Sequence, residues 1–214
     1  MAIVDYASLQ ASIIDWSLKT GDINFTNNVT SFISMAEEQI NLDLRVRWNT
    51  NNVILTTNVI DGSLTLPTDY LDFDAVVAQT NPISPLTYVT VQSYYGLLQT
   101  NPNPGSGIPT KFTIIDGQMF FYPSVGTTPI SVQLVYYQAV PSLSILNTTN
   151  FVIANAPRLY LYGSLIYASQ YNQDDDSEQR WATSYATTLE SIIKSNVRSE
   201  YATGMMIITP DVVY

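Results

Sequence analysis

The sequence predicts an α+β protein. A helical bundle of two N-terminal and two C-terminal helices carries an inserted β-rich region of hairpins and ends in an extended C-terminal tail. Apolar residues recur at helical spacing up to Trp48 and again beyond Pro157. Between these stretches, short β-rich runs alternate with Asp-Gly, Pro and Asn turns. The final stretch, GMMIITPDVVY, is largely apolar and has no helical face. The expected divisions are residues 1–48 and 152–203 for the helical body, 49–151 for the insert and 204–214 for the tail.

Residues 5–19 read as the first helix, with Tyr6, Leu9, Ile13 and Trp16 on one face and Gly21 ending it. The second is expected over residues 28–47, striped by Val29, Phe32, Ile33, Ala36, Ile40 and Leu44. Arg45 and Arg47 then fall in its last turn, where cations suit the helix dipole. Asp61-Gly62 between two β-rich runs signals a hairpin, and Asp116-Gly117 signals a second. LPTDY leaves the first strand run and FDAVVAQ resumes it. Residues 89–99 read as a short helix, and 101–109 (NPNPGSGIP) as a loop. ISVQLVYY alternates as a half-buried strand does. Pro157 is well placed as a first helical residue. Its helix should reach about Tyr171, and the next should run from the acidic cluster to about Arg198.

Composition removes several function classes. Charged residues make up only 12 % of the chain and hydrophobic ones 46 %. A surface this short of charge is poorly protected against self-association, which favours coverage by partners. The net charge of −10, with Lys+Arg numbering 8, lacks the cationic footprint of a nucleic-acid binder. Cysteine and histidine are absent, so thiolate chemistry, His triads, zincins and two-His iron sites are excluded. Asp5 stands where a signal peptide needs positive charge, and no window approaches the ~18 apolar residues of a membrane span. No membrane insertion is expected.

Asp174-Asp175-Asp176 and Glu178 raise the question of a cation site. Three adjacent aspartates without a central glycine and a distal Glu do not make an EF-hand loop. The cluster reads instead as a helix start, where carboxylates accept hydrogen bonds from free N–H groups and suit the dipole. Glu37-Glu38 point about 100° apart on a helix and do not converge. Gly105-Ser106-Gly107 lacks the Lys-Ser/Thr of a phosphate loop. No catalytic, metal or cofactor residue is assigned.

The tyrosine-rich helix PRLYLYGSLIYASQY is apolar nearly all round and must be covered on all sides. Either the chain covers it alone or one face meets a neighbouring subunit, with Gly163-Ser164 allowing close helix approach. Trp181, Tyr185, Leu189, Ile192 and Ile193 line the following helix as core. The tail residues Met205, Met206, Ile207, Ile208, Val212, Val213 and Tyr214 need a dock, on their own sheet or on a partner.

Several stretches resemble the head-to-tail adaptors of short-tailed, podovirus-type phages, the family of tail tubular protein A and related head-completion gateway proteins. One is Ala36-Glu37-Glu38-Gln39-Ile40-Asn41 in the second helix. Another is Leu66-Pro67-Thr68-Asp69-Tyr70-Leu71, similar to the family's LP-x-D-[YF]-L turn. A third is Asp116-Gly117 followed by Phe121-Tyr122-Pro123. The longest runs from Tyr136-Tyr137 through Val140-Pro141 and Leu143 to Pro157, Tyr160, Tyr162, Asp174, Asp175, Trp181 and Tyr185. The departures are a long loop at 101–109 and a short apolar end.

The resemblance implies a structural virion protein of the neck, made in the bacterial cytoplasm and not an enzyme. It implies a ring, typically dodecameric, that joins the portal protein to the tail nozzle or tube, with genome DNA passing non-specifically through the lumen. The acid excess fits a lumen along which DNA slides without sticking. The β-rich middle is expected to face neighbouring adaptors or the nozzle, and the helical body the portal. Two other classes fit the composition less well: a carboxylate-based cell-wall or polysaccharide hydrolase, and a virion or surface binding module that uses the β-rich insert.

Overall fold

The structure is a computed structural model that describes residues 2–58, 60–101, 107–126 and 128–201. It divides into two compact units, Met1–Trp48 with Val140–Tyr214, and Asn49–Ala139. The tail from Met205 to Tyr214 and the centre of the 101–109 loop lie outside the described residues.

The first unit is helical. Helix α1 (Tyr6–Trp16) begins at Asp5, whose carboxylate accepts from the Ser8 N–H while the Ser8 hydroxyl accepts from the Asp5 N–H, a reciprocal cap. Helix α2 (Ile23–Asp43) starts earlier than its apolar stripe predicts, because Asp22 accepts from the Asn24 and Phe25 N–H groups. Asn28, expected at the start, lies inside the helix and donates to Asn24 O. The helix also stops before Arg45. That side chain nonetheless reaches back, donating to the carbonyls of Asn41 and Leu44.

A short helix α3 (Val91–Thr100) belongs to the second unit. Helix α4 (Phe151–Asn155) starts at Asn150, and α5 (Pro157–Asn172) has Pro157 in its first turn. Helix α6 (Asp175–Tyr201) follows a left-handed Gln173. One core joins the helices. Leu9, Ile13, Phe25, Ile33, Ile40, Leu159, Tyr160 and Leu165 are all buried in it.

The second unit holds two sheets. Strands β1 (Thr50–Thr56), β2 (Leu64–Thr65), β3 (Tyr70–Ala78) and β4 (Ser84–Pro85) precede α3, with β5 (Thr87–Tyr88) between. Strands β6 (Lys111–Ile115), β7 (Gln118–Tyr122) and β8 (Ser131–Gln138) complete it. The orders are β1-β8-β3-β4 and β2-β7-β6-β5. Asp116-Gly117 makes the expected β6–β7 hairpin, both residues adopting positive φ. Asp61-Gly62 does not make one. β1 pairs with β8 and β2 with β7, so the turn passes the chain from one sheet to the other. Long-range pairing outweighs the local signal because β8 offers β1 seven register partners, from Tyr137 to Ser131. Phe112, Met119, Val132 and Leu134 are buried in the core of this unit.

Gly163 explains how the tyrosine-rich helix is covered within one copy. A Cβ there would meet Ala36 Cβ at 3.2 Å and Tyr185 Cε2 at 3.4 Å, so glycine lets α2 and α6 close on α5. Gly163→Val is expected to lower the unfolding free energy by about 1–3 kcal/mol through overpacking. Urea denaturation followed by helix circular dichroism checks this. An unchanged midpoint would show that the helices are not in close approach there.

Candidate functional site

The motif residues converge on a few buried polar contacts. On α2, Glu37 and Asn41 stand one turn apart on the same face. Glu37 Oε1 accepts from the Leu143 N–H at 2.8 Å, and Asn41 Oδ1 accepts from the Val140 N–H at 2.8 Å. Tyr160 donates its hydroxyl to the same Glu37 oxygen at 3.2 Å and accepts from Asn150 Nδ2 at 2.7 Å. Asn150 also donates to Pro141 O and accepts from the Val152 and Ile153 N–H groups. Two stretches about a hundred residues apart are thereby joined by side chains, not by sheet or helix. Burial raises the Glu37 carboxyl above its ordinary range, opposed by the hydrogen bonds from Leu143, Ser142 and Tyr160. Tyr160 is pushed well up, first by burial and then by the Glu37 charge.

In the β unit, the Tyr70 N–H donates to Pro67 O and closes a turn. Asp69 Oδ1 then accepts from the Tyr136 hydroxyl at 3.0 Å, and Tyr70 stacks on Tyr136 at 5.9 Å. Burial, with Asp72 nearby, pushes the Tyr70 hydroxyl up to about 12. Leu66 is buried in the core of this unit, Tyr137 pairs in register with Thr50, and Pro123 follows a cis peptide after β7.

At the α5–α6 turn, Asp174 Oδ1 accepts from the Ser177 N–H at 3.1 Å. Asp175 opens α6. Hydrogen bonds from Ser177 hold the Asp174 carboxyl below its ordinary range. The cluster is the start of a helix, and Glu178 is turned to Gln170. Tyr162 stacks on Trp181 at 6.0 Å, with Trp16 5.6 Å from Trp181. Tyr185 donates to Asp43 Oδ2 at 3.0 Å, an oxygen that also accepts from Gln39.

Sequence reasoning passed over Glu37, taking it as half of a divergent pair. Its spacing from Ile33 and Ile40 on the apolar stripe was the available signal. Asn41 entered only through the resemblance of the AEEQIN stretch, and Asn150 carried no signal beyond its residue type. The described residues contain no group of three or more His, Cys, Asp or Glu placed to hold a metal ion, and none of their helices is long and apolar enough to cross a membrane.

The family model described as SU10 adaptor protein matches residues 4–208, and the chain belongs to that family. It is therefore a phage adaptor, a structural protein that assembles with phage head and tail proteins. A comparison with curated proteins finds no match.

The raised Glu37 carboxyl has a consequence for stability. A group that binds its proton more tightly in the folded state contributes stability at low pH that is lost as pH rises. The window runs from the ordinary value of 4.5 upward through the raised folded value. Glu37→Gln keeps the acceptor for Leu143 and Tyr160 and removes the titration. Its unfolding free energy relative to wild type is expected to increase with pH across that window, then level off. Glu37→Ala leaves the Leu143 N–H without its acceptor and is expected to cost about 1–3 kcal/mol. Parallel urea titrations at a series of pH values test both. A flat difference for Glu37→Gln would mean that the carboxylate is ordinarily solvated.

Proposed function

We propose that this protein is a ring-forming head-to-tail adaptor of a short-tailed phage, akin to tail tubular protein A. In this reading it sits in the virion neck as a homo-oligomer of twelve copies. It joins the portal to the tail nozzle or tube, and genome DNA passes through its lumen during ejection. The observation that carries the reading is the family match, which spans both structural units.

Physical features support it. A single copy leaves large apolar side chains in solvent on each unit, including Leu18, Leu42, Ile145 and Leu146 on the first and Ile54, Ile60 and Ile83 on the second. Side chains of this size are expected to be covered in an assembly. The second unit carries Asp61, Asp69, Asp72, Asp74 and Asp116 against the single cation Lys111. Repeated around a ring, that charge would keep DNA from adhering to any wall it lines. The helical body would face the portal and the β-rich insert the neighbouring adaptors or nozzle. The tail residues 204–214 would dock on a partner. Residues such as Tyr160, Trp181 and Tyr185 would serve as structural supports for the body.

A phage genome unable to make this protein is expected to yield DNA-filled heads without tails, with tailed particles restored when the protein is supplied separately. Electron microscopy of infected-cell lysates reads the result. Normally tailed particles in its absence would overturn the reading.

A further inference from the structure

The segment that returns the chain to the helical unit ends in an apolar knob. Ile145 and Leu146 are 86 % and 99 % exposed. Their turn is held by hydrogen bonds on every side. The Ser144 N–H donates to Asn147 O, the Ser144 hydroxyl accepts from the Leu146 and Asn147 N–H groups, and Asn147 Nδ2 donates to Ser142 O. The base of the turn is fixed by the Leu143 N–H on Glu37 and by the Tyr6 N–H on Thr148 O. A preorganised turn that holds two aliphatic side chains in water lowers the ordering cost of inserting them into a partner.

The same helical unit carries a groove that suits them. It lies between α2, α5 and α6, has a volume of about 360 Å³, and is lined by Ile166, Tyr167, Ala182, Tyr185, Ala186 and Leu189 among others. Its one carboxylate on α2, Asp43, is already engaged by Gln39 and Tyr185. Knob and groove lie on opposite flanks of α2. Glu37 holds the knob, and Gln39 and Asp43 border the groove, about 200–240° further round the helix.

We infer that Ile145 and Leu146 of one copy insert into the α2–α5–α6 groove of the next copy. The inference rests on the ring reading and specifies its contact. A second copy is the occupant because both halves are present on every copy, and because the SILN turn is uncharged. It brings together chains of net charge −10 without setting carboxylate against carboxylate. Placement on opposite flanks makes the contact head-to-tail, the kind that closes into a ring and not into a symmetric pair.

The chain has no cysteine, so a disulfide can be placed without background. Protein carrying both Leu146→Cys and Ala186→Cys, assembled alone or on the portal ring of the same source and then oxidised, is expected to give a ladder of covalent multimers. Each single variant is expected to give no more than pairs. Ala186→Arg, a change at an exposed helix position, is expected to weaken assembly at least tenfold with its helix signal intact. If the double variant assembles without cross-linking and Ala186→Arg assembles like the unmodified protein, the knob contact is wrong and the ring reading stands. A ladder that stops at two overturns the head-to-tail arrangement. If the unmodified protein assembles neither alone nor on the portal, the ring reading falls and the contact with it.

Discussion

The helical unit depends on one buried carboxylate. The chain leaves this unit after Trp48 and returns at Val140, so its two parts must be rejoined without a shared sheet. Glu37 and Asn41 do this by accepting the Leu143 and Val140 N–H groups from the returning segment. Tyr160 and Asn150 complete the network and tie it to α5 and to the start of α4. Removing one partner of such a network leaves buried groups unpaired, which costs more than the bond gained in making it. The same contacts fix the base of the turn that holds Ile145 and Leu146 in solvent. A packing requirement and an outward-facing feature therefore share one set of hydrogen bonds.

What the sequence made legible was local. Asp174 before α6, Pro157 opening α5 and the Asp116-Gly117 hairpin each rest on chemistry that acts within a few residues. The apolar stripe of α2 was also legible, although its start was displaced, because Asp22 as a cap outweighs the point where the stripe begins. What escaped was non-local. The Asp61-Gly62 turn carries a hairpin signal, but its flanking strands find longer partners in β8 and β7. The short parallel pairing of β5 with β6 has no periodic signature at all. Glu37 was read only as half of a pair of carboxylates that do not converge, because residue type alone does not announce a buried acceptor.

Motifs that first appear as scattered turns and aromatics acquire a common physical account. Asp69 and Tyr70 of the LPTDYL stretch meet Tyr136. The AEEQIN stretch of α2 meets Val140, Leu143 and Tyr160. Tyr185 meets Asp43 and packs at Gly163. These residues hold each of the two units in shape. Sparse charge and exposed aliphatic side chains accord with a protein that assembles with partners.

The adaptor account is tested most directly by the mass of the protein bound to the portal ring of the same source, read by native mass spectrometry after co-sedimentation. The account predicts a saturated complex with one copy for each portal subunit. Well-folded protein that leaves the portal ring at its own mass would contradict it.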